Sequence, residues 1–96
     1  MPEKKVLVID ADVASRNFVV RSLVNQKYDV IQAGSGKEGL IYAWRDHPDL
    51  AIIDPTIGDI TGEELAAKLK QDSRTANMPL VALSGDQSAM RTKSCL

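Results

Sequence analysis

Three polar residues in this sequence follow short apolar runs, and their types could support metal binding and phosphoryl transfer. Asp10, Asp54 and Ser84 each stand directly after such a run. Two carboxylates that lie close together repel each other, so the pKa of at least one should rise unless a cation is bound. A hard cation such as Mg²⁺ removes this conflict, because one or two carboxylates hold it together with water and phosphate oxygens. A carboxylate in such a position can also attack phosphorus and form an aspartyl phosphate.

The apolar runs are predicted to be buried strands. They are short, unbroken and rich in β-branched residues, which is typical of strands covered on both faces. Four such runs are present, of which the second is the weakest: residues 6–9, 28–31, 50–53 and 80–83.

The segment between the first two runs is predicted to be an amphipathic helix. It extends from Asp12, a plausible N-cap, to about Lys27. Val20, Leu23 and Val24 have the spacing i, i+3, i+4, which predicts that these three side chains form the buried stripe.

Two further helices are predicted from capping signals. Ser35 with Glu38, and Thr61 with Glu64, have the spacing of capping boxes. The first of these helices must end before Pro48, and the second is expected to end at about residue 71.

The alternation of strands and helices predicts a parallel sheet with helices on both faces. In open sheets of this kind, ligands bind beyond the carboxyl ends of the strands. Asp10, Asp54 and Ser84 are therefore expected to converge at one edge of the sheet. After the fourth strand, residues 86–96 are predicted to form a loop that leads into a helix.

Composition limits the class of protein. The 96 residues, 44% of them hydrophobic, are enough for one small core. The charge balance of 12 basic and 13 acidic residues argues against a nucleic-acid-binding surface. A single cysteine cannot form an internal disulfide, which suits a reducing compartment. With no export signal and no apolar run near the roughly 20 residues that span a bilayer, we expect a cytoplasmic protein without membrane contact.

Four segments together resemble the receiver domain of two-component response regulators: residues 5–10, 49–54, 59–62 and 79–85. The resemblance covers essentially the whole chain, so residues 1–96 are identified as one receiver domain. It implies a doubly wound, flavodoxin-like (CheY-like) α/β fold with strand order 2-1-3-4. It also implies that the family's fifth strand and helix are missing, so that the domain is incomplete at its C-terminus.

The resemblance assigns roles to individual residues. Asp54 would accept the phosphoryl group from the phosphohistidine of a histidine kinase or phosphotransfer protein. Asp10, Asp54 and the backbone carbonyl of Thr56 would bind Mg²⁺, and Ser84 would supply the switch hydroxyl. Such a domain is a phosphoacceptor that switches an output, and we do not expect a dedicated enzyme.

The sequence departs from the family pattern at the metal site. The family has a second acid directly after the first, whereas this chain has Ala11. Asp12 is one residue further on, where it should cap the helix, although it could also reach the metal through water. We therefore expect weak Mg²⁺ binding. The family's phosphoryl-pairing lysine has no counterpart, because it would follow the missing strand.

Two other functions are compatible with these residues. A receiver that lacks the second acid could be a non-phosphorylated pseudo-receiver that only binds other proteins. Alternatively, the segment from Asp10 to Val13 fits the first motif of haloacid-dehalogenase-like phosphatases, with Asp10 as nucleophile and Asp12 as general acid/base. The phosphatase interpretation leaves Asp54 without a role.

The missing fifth strand has a consequence for assembly. One edge of the apolar strand 80–83 would carry open N–H and C=O groups, and such edges favour pairing with another chain. Self-association across this strand is therefore predicted as one way of completing the domain.

Overall fold

Strands and helices alternate along the chain, and the computed structural model describes residues 4–54, residues 58–83 and the backbone of 90–92. The strands of these residues are β1 (Lys5–Ile9), β2 (Asp29–Ala33), β3 (Leu50–Ile53), β4 (Leu80–Leu83) and β5 (Met90–Thr92). The helices are α1 (Val13–Asn25), α2 (Gly36–Asp46) and α3 (Gly62–Gln71). The first four strands and the three helices lie where the sequence predicts them.

The strands form one sheet in the order β2-β1-β3-β4-β5. The first four are parallel, as expected for strands joined by helical crossovers. At the carboxyl end of β1, Ile9 pairs with Ala33 on one side and with Ile53 on the other. The predicted order 2-1-3-4 is therefore confirmed, with β1 and β3 adjacent at the centre.

The edge of β4 differs from the sequence prediction. The predicted open edge is wrong, because β5 pairs with β4 antiparallel, with Arg91 opposite Ala82. Only residues 84–89 connect the two strands, and a parallel pairing would need a crossover of about a dozen residues. The antiparallel return satisfies the backbone groups that the edge of β4 would otherwise expose. The predicted C-terminal helix is wrong at residues 90–92, and the rest of 86–96 lies outside the described residues. Self-association stays a prediction.

Side-chain caps fix the starts of α1 and α3. The Asp12 carboxylate accepts a hydrogen bond from the Ser15 N–H at 2.8 Å, which confirms it as the N-cap of α1. At α3, the Thr61 hydroxyl accepts from the Glu64 N–H at 3.0 Å, and the Glu64 carboxylate accepts from the Thr61 N–H at 3.1 Å. This reciprocal pair is the predicted capping box.

The start of α2 differs in one bond from its prediction. The Ser35 hydroxyl accepts from the Glu38 N–H at 3.2 Å, as expected. The Glu38 carboxylate, however, accepts from the Gly34 N–H at 2.8 Å instead of closing the box on Ser35. The helix ends at Asp46, and its C-cap, His47, has a left-handed φ of 49° directly before Pro48.

Two apolar clusters lie on opposite faces of the sheet. One lies on the side of α2 and α3 and is the larger, with members that include Leu7, Ile9, Ile53, Leu65 and Leu69. The other lies between the sheet and α1, where Val19, Val20 and Leu23 pack against Val6, Val8 and Ile52.

The stripe predicted for α1 is wrong by one residue. Val24 is 53% exposed, and Val19 packs against the sheet in its place. At about 100° per residue, Val19, Val20 and Leu23 fall within about 100° of one another around the helix. Val24 falls about 140° from Val19, outside this stripe. No helix in the described part of the chain is long and apolar enough to cross a membrane.

Candidate functional site

Asp10 and Asp54 lie side by side at the carboxyl edge of the sheet. Each directly follows a central strand, and these strands pair up to Ile9 and Ile53. The Asp54 N–H donates to the carbonyl of Ile9 at 2.9 Å, and the Asp10 N–H donates to that of Ala33 at 3.0 Å. Both backbones are therefore held by the sheet. The predicted convergence of these two acids is confirmed.

The Asp10 carboxyl is buried and only partly hydrogen-bonded. Asp10 is 1% exposed, and its Oδ1 accepts from the Asp12 N–H at 2.9 Å. Its Oδ2 is buried and accepts no hydrogen bond from the described residues. Burial raises the pKa of Asp10; the Asp12 N–H opposes this shift and the Asp54 carboxylate adds to it.

These two acids fit a divalent cation. A buried carboxylate oxygen without a hydrogen-bond partner, next to a second carboxylate, is a favourable ligand for Mg²⁺. A cation there would also oppose the repulsion between Asp10 and Asp54. Among the described residues, no group of three or more acidic, histidine or cysteine side chains is gathered that could hold a metal ion. The described side chains at this site that could contact a cation are the two carboxylates of Asp10 and Asp54.

The two residues after Asp10, Ala11 and Asp12, lie between β1 and α1. Ala11 is exposed and follows Asp10 in the turn before α1. The Asp12 carboxylate caps α1 by accepting a hydrogen bond from the Ser15 N–H. Hydrogen bonding to Ser15 holds the pKa of Asp12 below its ordinary value. The structure therefore gives Asp12 the capping role, and the water-mediated metal contact stays a prediction.

Two predicted site residues, Thr56 and Ser84, lie outside the described residues. The loop that carries Thr56 is described again from Gly58, which has a φ of +98° that favours glycine. The next residue, Asp59, accepts hydrogen bonds from the N–H groups of Gly36 and Lys37 at 2.9 and 3.0 Å. These bonds anchor the loop to the start of α2, and they hold the pKa of Asp59 below its ordinary value.

Sequence reasoning missed two residues that support this site. One is Asp59, whose bonds to α2 span 22 and 23 residues of chain. The other is Arg16, which donates to the backbone carbonyl of Asp10 at 2.6 Å. In both cases one partner is a backbone atom, which leaves no side-chain pattern in the sequence.

Comparisons with known proteins agree with this fold. Residues 6–96 match the response regulator receiver domain family. The two-component response regulator ORR3 of Oryza sativa subsp. indica is 29% identical, over 99% of this chain and 73% of its own length. The histidine kinase P4 of Formosa agariphila is 30% identical over 90% of this chain, which spans only 6% of the kinase.

The solved structures include a similar protein from chemotaxis. The response regulator CheY4 of Vibrio cholerae superimposes with a TM-score of 0.85 at 27% identity, covering 90% of this chain and 72% of CheY4. In this chain a helix begins directly after Asp12, without the hairpin that haloacid-dehalogenase-like phosphatases insert at this point. With the sheet order, the adjacent Asp10 and Asp54 and the family match in agreement, the chain belongs to the response regulator receiver domain family.

Proposed function

We propose that this receiver domain accepts a phosphoryl group on Asp54 from a phosphohistidine of a histidine kinase or phosphotransfer protein. The observation that carries the proposal is the pairing of Asp10 and Asp54. Asp10 is 1% exposed, with one oxygen that accepts no hydrogen bond from the described residues, while Asp54 beside it is half-buried. The two acids thus have different environments, which suits different roles.

The difference in accessibility supports Asp54 as the nucleophile. A carboxylate oxygen of Asp54 attacks phosphorus, the P–N bond to the donor imidazole breaks, and the imidazole nitrogen keeps the electron pair and takes up a proton. The product is an acyl phosphate on Asp54. Asp10 is too deeply buried to be approached by a phosphohistidine, and its Oδ1 is already engaged by the Asp12 N–H. The chain is thus the acceptor in the transfer and not a dedicated enzyme.

The residues that would hold Mg²⁺ are Asp10, Asp54 and the backbone carbonyl of Thr56. When bound, the cation supplies positive charge against the phosphoryl oxygens, and charge neutralisation and positioning carry most phosphoryl transfer. Asp10 would contribute the oxygen that no described N–H occupies. The hydroxyl of Ser84 would donate a hydrogen bond to the phosphoryl group on Asp54.

A second candidate function follows from Ala11. Without an acid at this position the cation is held by fewer carboxylates, and even changes in residues around a metal site cost roughly 10–100-fold in affinity. The domain could then be a pseudo-receiver that binds partner proteins without being phosphorylated. Phosphoryl transfer and partner binding are separable by experiment.

The test is the intact mass of the protein after incubation with a small-molecule phosphodonor and Mg²⁺. We expect one added phosphoryl group on the wild type and none on Asp54→Asn. Asp29→Asn, an exposed acid at the start of β2, is the matched control and should be labelled like the wild type. Equal labelling of Asp54→Asn would contradict the proposal. Labelling lost only in Asp10→Asn would favour Asp10 as the nucleophile.

If the wild type is not labelled by the phosphodonor, the variant Ala11→Asp serves as the control. Ala11→Asp restores the acid that the family has at this position, and it should be labelled at least as fast as the wild type. If neither protein is labelled, by the small donor or by a phosphorylated histidine phosphotransfer protein, the pseudo-receiver function is favoured.

A further inference from the structure

Arg16 connects the first helix to the backbone of a site residue. It lies in the first turns of α1 and is half-buried. One guanidinium nitrogen, Nη1, donates to the backbone carbonyl of Asp10 at 2.6 Å, and Nε donates to Oε1 of Gln32 at 3.3 Å. The side chain therefore bridges α1, the end of β1 and β2.

The approach of this guanidinium to the backbone is close. A Cβ atom added to Gly34 would lie 3.3 Å from Nη1 of Arg16, so a side chain at position 34 would press on the guanidinium. The glycine directly after β2 thus leaves room for the guanidinium group of Arg16. Hydrogen bonds from a charged donor are shorter and about twice as strong as neutral ones, which agrees with the 2.6 Å contact.

The contacts of Asp10 explain why this bond matters for the site. Its N–H donates to the carbonyl of Ala33, its carbonyl accepts from Arg16, and its Oδ1 accepts from the Asp12 N–H. The first bond belongs to the sheet. The other two set how the peptide after Asp10 is turned, and with it the direction of the carboxyl.

We propose that Arg16 is a positioning residue that fixes the backbone of Asp10 and thereby directs its Oδ2 toward Asp54. This proposal rests on the proposed function of the Asp10–Asp54 pair as a Mg²⁺ and phosphoryl site. Arg16 acts through the carbonyl of Asp10 and does not itself contact the cation or the phosphoryl group. Lysine could not replace it fully, because a single ammonium lacks the planar fork that reaches Asp10 and Gln32 together.

The test compares Arg16→Met with Arg21→Met, which removes an exposed arginine from the same helix. Two quantities are measured in the folded proteins: Mg²⁺ affinity by calorimetry, and the exchange rate of the Asp12 amide, which donates to Asp10. We expect Arg16→Met to weaken Mg²⁺ binding roughly 10-fold, the low end for residues that orient metal ligands, and to speed exchange of the Asp12 amide. Arg16→Lys should fall between it and the wild type, and Arg21→Met should match the wild type.

Two further variants act on Arg16 without removing it. Gln32→Met takes away its second partner, and Gly34→Ala presses on the guanidinium. Both should move the two readouts in the same direction as Arg16→Met, by less. They keep the proposal testable if Arg16→Met does not fold.

The outcomes separate this proposal from the proposed function. Unchanged affinity and unchanged exchange of the Asp12 amide in Arg16→Met would overturn the positioning role. Faster exchange throughout β1, in proportion to a loss of stability in urea, would also overturn it, because a merely structural residue behaves in that way. If neither the wild type nor Ala11→Asp binds Mg²⁺, the metal site fails, and the Asp12 amide alone decides the role of Arg16.

Discussion

Asp10 and Asp54 follow two neighbouring parallel strands at the same register, so the carboxyl of one stands beside the carboxyl of the other at the edge of the sheet. Burial raises the pKa of Asp10, and the charge of Asp54 contributes to the shift. A buried carboxyl with a raised pKa lowers the stability of the metal-free protein at neutral pH, and the same carboxyl is the proposed ligand for a cation. Both effects can be measured.

Replacing Asp10 by Asn should stabilise the metal-free protein at neutral pH. The folded state holds a proton on Asp10 more tightly than the unfolded state, so the wild type loses stability as the pH rises above 3.8, the ordinary value, and through the raised pKa. Asn carries no charge into this site, and we expect a gain of roughly 1–3 kcal/mol, the scale of one unsatisfied buried group. Urea unfolding without divalent cations measures it.

The pH dependence provides the control for this prediction. The stability advantage of Asp10→Asn should shrink as the pH falls through the raised pKa of Asp10 toward 3.8, and this charge effect should be absent well below 3.8, where Asp10 is protonated in both states. Asp29→Asn should show no comparable gain. A variant less stable than the wild type at neutral pH would show that the buried charge is not the dominant effect.

Replacing Ala11 by Asp should strengthen Mg²⁺ binding at least about tenfold, because a direct carboxylate ligand should contribute no less than the residues that orient it. Ala14→Asp places the same charge on an exposed residue of α1 and serves as the control for general attraction of cations. Calorimetric titration of both variants decides the matter. If Ala14→Asp strengthens binding as much as Ala11→Asp, position 11 is not at the cation.

Most of the sheet could be predicted because local patterns and packing agree. The first four strands are short apolar runs, and Asp10 and Asp54 stand where β1 and β3 end. β5 could not be predicted in this way, since Met90–Thr92 has no apolar run of its own. Its pairing depends on the edge of β4 and on the short connection between the two strands. The buried stripe of α1 was ambiguous because apolar residues lie around much of that helix.

The candidate site was predictable to the same degree. Asp10 and Asp54 are identified by their place in the chain, at the ends of strands that must be parallel. Arg16 and Asp59 are identified only by their hydrogen bonds to backbone atoms. Their neighbours in the sequence do not distinguish them from other charged residues on the surface. The two acids of the candidate site were thus predictable from the sequence, and the contacts of Arg16 and Asp59 were not.

The anchor between Asp59 and α2 should make stability depend on pH in the opposite sense to Asp10. Hydrogen bonds from Gly36 and Lys37 hold the pKa of Asp59 below 3.8, so its contribution is complete above that value and is lost as the pH falls through the lowered pKa. Asp59→Asn should therefore be less stable than the wild type at neutral pH. Urea unfolding from neutral pH down through the lowered pKa of Asp59 should show that the stability difference between Asp59→Asn and the wild type narrows as the pH falls.

The matched control for the Asp59 prediction is again Asp29→Asn, which removes an exposed acid at the start of β2, at the other end of that strand from the start of α2. The Asn side chain can still accept one hydrogen bond, so the bidentate contact is lost and not the whole anchor. A difference between Asp59→Asn and the wild type that stays constant with pH would show that the charge of Asp59 contributes nothing.

Gly39 is the position where the packing of α2 on β1 leaves no room. A Cβ added to this glycine would lie 2.8 Å from Cγ1 of Ile9 and in still closer contact with its Cδ1. In an exposed helix Gly→Ala gains about 1 kcal/mol, but overpacking a core costs about 1–3 kcal/mol, so we expect Gly39→Ala to lose stability in urea unfolding. Ile9→Val removes the Cδ1 methyl and alone should cost about 0.5–1.5 kcal/mol. In the Gly39→Ala background the same change should cost less or restore stability. If the stability losses of Gly39→Ala and Ile9→Val simply add in the double variant, the added methyl group moves α2 away as a whole instead of pressing on Ile9.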